Sequence, residues 1–306
     1  MIDAVLIAGP TASGKSAIAS RLAELFDGVV INADSMQVYS DLRIITARPT
    51  IEEEAQVPHR LYGTVDGAVN YSVGHYLKDI EAVLGETRQA KKLAIIIGGT
   101  GLYFKALLEG LSAVPPVPDE VRETVRKLSE ELGQDALYRY LAERDPEGAK
   151  RLQPADSVRV QRALEVFKAT GRTLSSFHDE RVPGLLSQAN VIKAFLNPDR
   201  EKLKSTIDLR FEKMMDKGTL DEVRVLKERN LDPMLPIMRA HGVPGLIDYL
   251  NGLCSLADAV IRGQADTRRY SKRQFTWFRH QMSDWQWLSP EVAMSHLENA
   301  LKIKEY

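Results

Sequence analysis

Apolar residues in the first third of the chain come in short continuous blocks, separated by stretches with helical spacing. Ala4-Val5-Leu6-Ile7-Ala8, Gly28-Val29-Val30-Ile31-Asn32 and Leu93-Ala94-Ile95-Ile96-Ile97 have the unbroken apolar pattern of strands buried on both faces. Ala17 to Phe26 is amphipathic, and Ser72 to Lys91 carries Tyr76, Ile80, Val83 and Leu84 on one stripe, so both predict helices. A further helix runs through Leu102, Tyr103, Ala106 and Leu107. Strand, helix, strand, helix with short turns predicts a doubly wound parallel sheet. Residues 41–70 are mixed, with turn signals at Pro49, Pro58, Gly63 and Gly67, and Arg43, Arg48, His59 and Arg60 scatter through them. That composition suits a solvated loop and substrate contact equally.

Pro115-Pro116-Val117-Pro118 ends this alternation as a stiff boundary. Helical signals follow over Asp119 to Leu132, Asp135 to Glu143 and Ala155 to Thr170, with Gly171 as a C-terminal stop. Val191 to Leu196 is again strand-like, and the last third is helical. There Leu203, Ile207, Phe211 and Met214 form a stripe that reads as core. The expected organisation is a core of residues 1–114 and 191–306, with an all-helical insertion over 115–190.

The turn after the first strand is Gly9-Pro10-Thr11-Ala12-Ser13-Gly14-Lys15-Ser16. Gly, four residues, Gly, Lys, Ser between a strand and a helix is the spacing of a phosphate-binding loop. Glycines let backbone N–H groups turn inward around an anion. The helix start adds free N–H groups and its positive dipole end. Lys15 adds a point charge, and the Ser16 hydroxyl can ligate a Mg²⁺ that bridges phosphates. Asp34 follows the second strand, and ligands of open α/β sheets sit outside the carboxyl ends of strands. A turn cap is the plainer reading of the same residue. The third strand ends in Gly98-Gly99-Thr100-Gly101 rather than the acid that often holds Mg²⁺ in nucleoside triphosphatases, and no Asn-Lys-x-Asp string reads guanine. A switch GTPase or motor ATPase is therefore poorly supported.

Net charge narrows the partners. It is −1 over 306 residues, so any nucleic-acid surface must be a local patch. Asp266 to His280 supplies one, with five Arg or Lys against one Asp and with Tyr270 and Trp277 interleaved. On a helix Arg269, Lys272 and Arg273 share a face, an arrangement that suits phosphate backbones and unstacked bases as well as it suits a solvated surface. The single cysteine, Cys254, fits a reducing compartment and a core position. No signal peptide and no membrane-length apolar run is expected.

Five stretches in order resemble the bacterial tRNA dimethylallyltransferases: residues 9–16; Asn32-Ala33-Asp34-Ser35-Met36-Gln37-Val38-Tyr39; Gly98 to Leu108; Arg159 to Glu165; and Thr267 to Arg279. The likeness spans essentially the whole chain. It implies a core like that of P-loop nucleoside triphosphatases. It implies transfer of a dimethylallyl group from dimethylallyl diphosphate to the exocyclic amine of the adenosine beside the anticodon. It further implies Asp34 as general base, Thr11 at the bridging oxygen, and Arg210 with Lys15 on the diphosphate. Ser16 would hold Mg²⁺, and Gly9, Pro10, Ala12, Ser13 and Gly14 would complete the phosphate cup. Asp34, Ser35, Met36, Gln37, Thr100, Arg122, Val158, Arg159, Val160, Gln161 and Arg162 match positions that touch tRNA, and the basic segment adds Arg269, Lys272 and Arg273. The implied partners are the tRNA anticodon stem-loop and dimethylallyl diphosphate, with no membrane and no obligate protein partner, in the cytoplasm and as a monomer. The alternatives are an adenylate prenyltransferase making free cytokinin and a non-catalytic P-loop RNA-binding protein. The chain departs from the family pattern at Pro58 to Gly63, at Ile45-Thr46-Ala47-Arg48 and at Arg239 to Pro244, stretches that bear on tRNA contacts.

Overall fold

The computed structural model describes residues 2–177 and 180–303. In chain order the elements are β1 (Ala4–Ala8), α1 (Lys15–Leu25), β2 (Gly28–Asn32), α2 (Ile51–Gln56), β3 (His59–Arg60), α3 (Val73–Gln89), β4 (Leu93–Gly98) and α4 (Gly101–Glu109). Next come β5 (Leu111–Ser112), α5 (Asp119–Leu132), α6 (Gln134–Ala142), α7 (Pro146–Ala149), α8 (Ser157–Thr170) and β6 (Arg181–Val182). The rest is β7 (Val191–Leu196), α9 (Arg200–Asp216), α10 (Thr219–Glu228), α11 (Val243–Leu250), α12 (Leu256–Gln281), β8 (Gln286–Leu288) and α13 (Pro290–Ile303).

Six strands form one parallel sheet in the order β3-β2-β4-β1-β7-β8. β1 is central, with Ala4 opposite Ala94 on one side and Val191 on the other. Its side chains alternate between two cores, as the two-residue period of a strand requires. Leu6 packs with Tyr76, Ile80, Phe104, Phe275 and Phe278, from α3, α4 and α12. Val5 and Ile7 pack with Ile18 and Leu22 of α1 and Ala293 and Leu297 of α13. Both faces are covered, which is why the central strands β1 and β4 are apolar throughout. Phe104, Phe278 and Trp285 meet edge to face under α12, each burying a large apolar area worth about 1.5–3 kcal/mol. A third core joins Val38, Tyr39 and Leu42 to Val223, Ile237, Val243 and Leu246.

Side-chain caps set several helix starts. The Ser72 hydroxyl accepts from the His75 N–H, and the Asp199 carboxylate accepts from the Glu201 and Lys202 N–H groups. Gly171 stops α8 in the left-handed region at φ 70°.

The chain divides into two compact units, Met1–Leu108 with Leu185–Tyr306, and Glu109–Gly184. Each boundary of the second unit falls six residues before the 115–190 expected from the proline run. Its helices enclose their own core of Val125, Leu137, Leu141, Val160, Ala163 and Leu164. Besides helices it carries the antiparallel ribbon β5–β6, in which Leu111 pairs with Val182. Strands of two or three residues, such as β3, β5, β6 and β8, are too short to show a hydrophobic period, so the sequence pattern missed them.

Candidate active site

Three adjacent strands end side by side. β1 delivers residues 9–16, β4 delivers Gly98 to Gly101, and β2 delivers Asp34. In the loop after β1, Ala12 (φ 62°) and Gly14 (φ 85°) are left-handed, which turns the intervening backbone into a concave nest. α1 begins at Lys15 with no side-chain cap and no acid in its first turn, so its N-terminal dipole faces the nest uncompensated. The Ser13 hydroxyl is buried there with no hydrogen-bond partner among the described residues. The Lys15 ammonium donates to the Pro10 carbonyl at 3.0 Å, and burial lowers its pKa from 10.5 to about 8, against the pull of Asp34 and with the help of Arg210. A buried cation so depressed is short of a negative partner.

Asp34 sits in a rigid turn. Its N–H donates to Asn32 Oδ1 at 2.8 Å, and Asn32 Nδ2 reaches the carbonyls of Asp34 and Leu61, each at 3.0 Å. Asp34 Oδ1 accepts from the Met36 N–H at 2.9 Å, while Oδ2 is bonded to none of the described residues and so remains available. The cap reading holds for Oδ1, and Oδ2 is left free for chemistry. Thr100 closes the turn: its Oγ1 accepts from the Ser35 N–H at 2.9 Å, and its N–H donates to the Ala33 carbonyl.

The glycines after β4 have a packing cause. A methyl at Gly98 would lie 2.0 Å from the Ala33 carbonyl oxygen, one at Gly99 2.0 Å from Gln274 Nε2, and one at Gly101 2.2 Å from the Trp277 ring. An acid at Gly98 would drive into the Ala33 backbone, and one at Gly99 or Gly101 would displace α12. Gln274 itself is buried and joins two loops, accepting from the Thr11 N–H at 3.2 Å and donating to the Gly99 carbonyl at 3.0 Å. Sequence reasoning did not single it out, although the spacing Tyr270, Gln274, Trp277 is that of one helical face.

Two cavities share these walls. One, of about 900 Å³, is lined by Thr11 to Ser16 and by Arg43, Arg48, Arg210, Lys213 and Lys217. The other, of about 350 Å³, is lined by Ile45, Phe211 and Met214 together with His241, Tyr270 and Arg273. Thr11, Ala12, Asp34, Thr46, Ala47, Arg210 and Met214 line both. An anion cup thus opens past Thr11, Asp34 and Arg210 into a half-apolar, half-aromatic chamber. Burial lowers the Arg210 pKa, and Asp34 opposes the shift. The His241 and Tyr270 rings lie 4.7 Å apart; burial and then Arg273 push the histidine down, while burial and then Asp34 push the tyrosine up.

The IPP transferase family model matches residues 37–281. The chain belongs to the IPP transferase family. It is 63% identical to the tRNA dimethylallyltransferase of Methylobacterium nodulans over 95% of its own length and 96% of that protein. To that of Rhodopseudomonas palustris it is 59% identical, over 97% and 93%. The solved tRNA isopentenylpyrophosphate transferase of Bacillus halodurans superposes with a TM-score of 0.71 at 30% identity, over 98% of this chain and 95% of that one. A eukaryotic dimethylallyltransferase acting on tRNA gives 0.80 at 28% identity, over 94% and 73%.

In this IPP transferase the expected site residues separate into groups. Thr11, Asp34 and Arg210 line both cavities, Lys15 and Ser16 line the anion cup, and Ser35, Met36 and Arg273 line the chamber. Gln37 lies beside the anion cup, but its amide is engaged, donating to the carbonyls of Thr46 and Ala47 at 2.8 and 3.0 Å. Arg269 pairs with Asp266, and Lys272 is exposed. Phe211 and Met214, read as core from their spacing, are chamber wall as well.

In the second unit Arg122 pairs with Asp119, Arg159 with Asp156, and Arg162 with Glu165; Gln161 donates to Ser129. Val158 is 63% exposed, whereas Val160 is fully buried in that unit's core, so its side chain is closed to a ligand and the expectation for it is corrected. Glu222 on α10 was missed altogether. Its carboxylate accepts from the N–H groups of Arg43, Ile44 and Ile45 at 2.5, 2.8 and 2.9 Å, fixing the strap that walls both cavities.

Proposed function

We propose that this IPP transferase moves a dimethylallyl group from dimethylallyl diphosphate to the exocyclic amine of the adenosine on the 3′ side of the anticodon in tRNA. The observation that carries the reading is the junction of an anion cup and a chamber at Thr11, Asp34 and Arg210. In that arrangement the diphosphate lies on the loop N–H groups, Lys15 and Arg210. The amine nitrogen attacks the first carbon of the allyl group; the carbon–oxygen bond breaks, and diphosphate leaves with the electron pair. Asp34 Oδ2 takes the proton that the amine sheds. Thr11 stands at the bridging oxygen, where charge develops.

The cup suits a Mg²⁺–diphosphate pair. Ser16 would supply a hydroxyl ligand, the Ser13 hydroxyl would supply a donor, and no cluster of acids among the described residues would hold a bare cation. The ion, when bound with the diphosphate, lowers the cost of releasing that charge. The target base must leave the anticodon stack to enter the chamber, where Tyr270, His241 and Arg273 offer stacking and cationic contacts. The exposed cations of the second unit are assigned to the stem-loop backbone. No helix among the described residues is long and apolar enough to cross a membrane, and the setting assigned is the cytoplasm.

Mass spectrometry of tRNA nucleosides after incubation with dimethylallyl diphosphate and Mg²⁺ tests the reading. The expected product is isopentenyladenosine in tRNA. Prenylation of free AMP in preference to tRNA would overturn the acceptor, and nucleotide binding without transfer would overturn the reaction.

A further inference from the structure

The chamber lining mixes apolar side chains, which suit a hydrocarbon, with His241, Tyr270 and Arg273. Ile45 and Phe211 are buried wall residues, and Met214, one helical turn beyond Arg210, lines both the diphosphate cavity and the chamber. This part of the wall has little room behind it to yield. Phe211 is backed by two glycines: a methyl at Gly263 would lie 2.3 Å from its ring, and one at Gly242 2.8 Å. The same methyl at Gly242 would lie 3.0 Å from Ile45 Cδ1, so both side chains abut one piece of backbone. Ile45 is held from the chain side as well, since its N–H is the third donor to the Glu222 carboxylate. A wall packed this closely resists an extra methylene, because interiors at crystal density have no free volume to give up.

We infer that Ile45, Phe211 and Met214 are a length gauge for the allylic diphosphate, admitting a five-carbon group and stopping a ten-carbon one. The gauge rests on the proposed transfer reaction and adds to it the feature that selects the donor. With the diphosphate in its cup and the first carbon beside Thr11 and Asp34, the tail has an apolar path along Met214 to Ile45 and Phe211. A tail that ended there would leave its first carbon in line with the amine; a longer one would push that carbon back toward the cup or fail to seat.

The experiment compares dimethylallyl and geranyl diphosphates as donors to tRNA, by kcat/KM, in the wild type and in Ile45→Ala, Phe211→Leu and Met214→Ala. Inhibition by pyrophosphate, which occupies only the cup, reports that each variant is folded. The wild type is expected to discriminate strongly against geranyl diphosphate, and at least one variant to raise the geranyl-to-dimethylallyl ratio by about tenfold or more, the scale of a few methylenes in an apolar pocket. Pyrophosphate inhibition should not change. A wild type that uses both donors equally would overturn the gauge. So would three variants that keep the wild-type ratio while still inhibited by pyrophosphate. If the wild type transferred neither group to tRNA, the transfer reading would fail; displacement of bound pyrophosphate by the two donors would then read the same ratio as affinities.

Discussion

The anion cup and the chamber beside it are built on opposite principles. The backbone floor of the cup is eight consecutive residues, shaped by two left-handed positions and a helix start, with cations from the strap and α9 around it. The chamber draws its lining from five separate stretches of chain: the first loop, the segment after β2 with its strap, α9, the turn before α11, and α12. A site for phosphate can be local because its ligands are backbone N–H groups, which any short stretch of correct φ provides. A site for a base and a hydrocarbon needs side-chain surfaces facing one another, which only tertiary packing supplies. The amide floor of the cup is thus a property of one loop, whereas the chamber is a property of the fold.

Substitutions should divide along that line. Asp34→Asn stands at the junction and is expected to have the largest effect, a loss of about 10²–10⁴ in kcat with pyrophosphate and tRNA binding retained, since it removes the base and little else; near-normal turnover in a single-turnover assay would sink the assignment. Lys15→Met acts on the cup alone and should cost about 10²–10³ in kcat/KM for the diphosphate donor, with tRNA affinity measured by filter binding unmoved. Gln274→Ala tests whether the two regions are mechanically one: it strands the Thr11 N–H and the Gly99 carbonyl and should cost about 1–3 kcal/mol in urea unfolding, with a parallel loss of pyrophosphate affinity.

The cup should also titrate by itself. Lys15 has a pKa of about 8 in the free protein, below its ordinary 10.5, and a bound diphosphate favours the protonated form. Affinity for pyrophosphate should therefore be full below about 8 and fall by about tenfold per pH unit above it, a slope that Lys15→Met abolishes. The depressed pKa gives the opposite sign for folding: its contribution to the stability of the free protein is present above 10.5 and lost as pH falls through about 8. The smallest effect belongs to the second unit, where Arg159→Ala or Arg162→Ala should raise KM for tRNA a few-fold and lower the salt slope of binding by about one each.

The contrast also explains what was legible in the chain. The parallel core, the cup and Asp34 were readable because buried strands are continuous apolar runs and the nest needs its glycines and lysine in fixed order. Glu222 and Gln274 were not, because nothing local distinguishes a carboxylate that holds a strap 177–179 residues away, or an amide that ties two loops, from ordinary helix surface. The reading of Phe211 and Met214 as core was half of the truth, since apolar spacing cannot tell the wall of a chamber from the interior of a bundle. Val160 shows the reverse case: a stretch matched to RNA contact contains a residue whose side chain points into its own unit's core.

Gly99 and Gly101 are sites whose content is empty space, and the occupants of that space, on α12, are made late. A ribosome that has completed residues 1–108 has produced every phosphate-binding amide and the Asp34 turn, yet the Thr11 N–H waits for an amide group more than 160 residues downstream. Until α12 emerges and seats Gln274 and Trp277 against Gly99 and Gly101, the nascent protein holds a phosphate loop without its brace. Catalytic competence is thereby tied to completion of synthesis: a chain terminated before α12 would carry the whole signature motif and have no rigid place to use it.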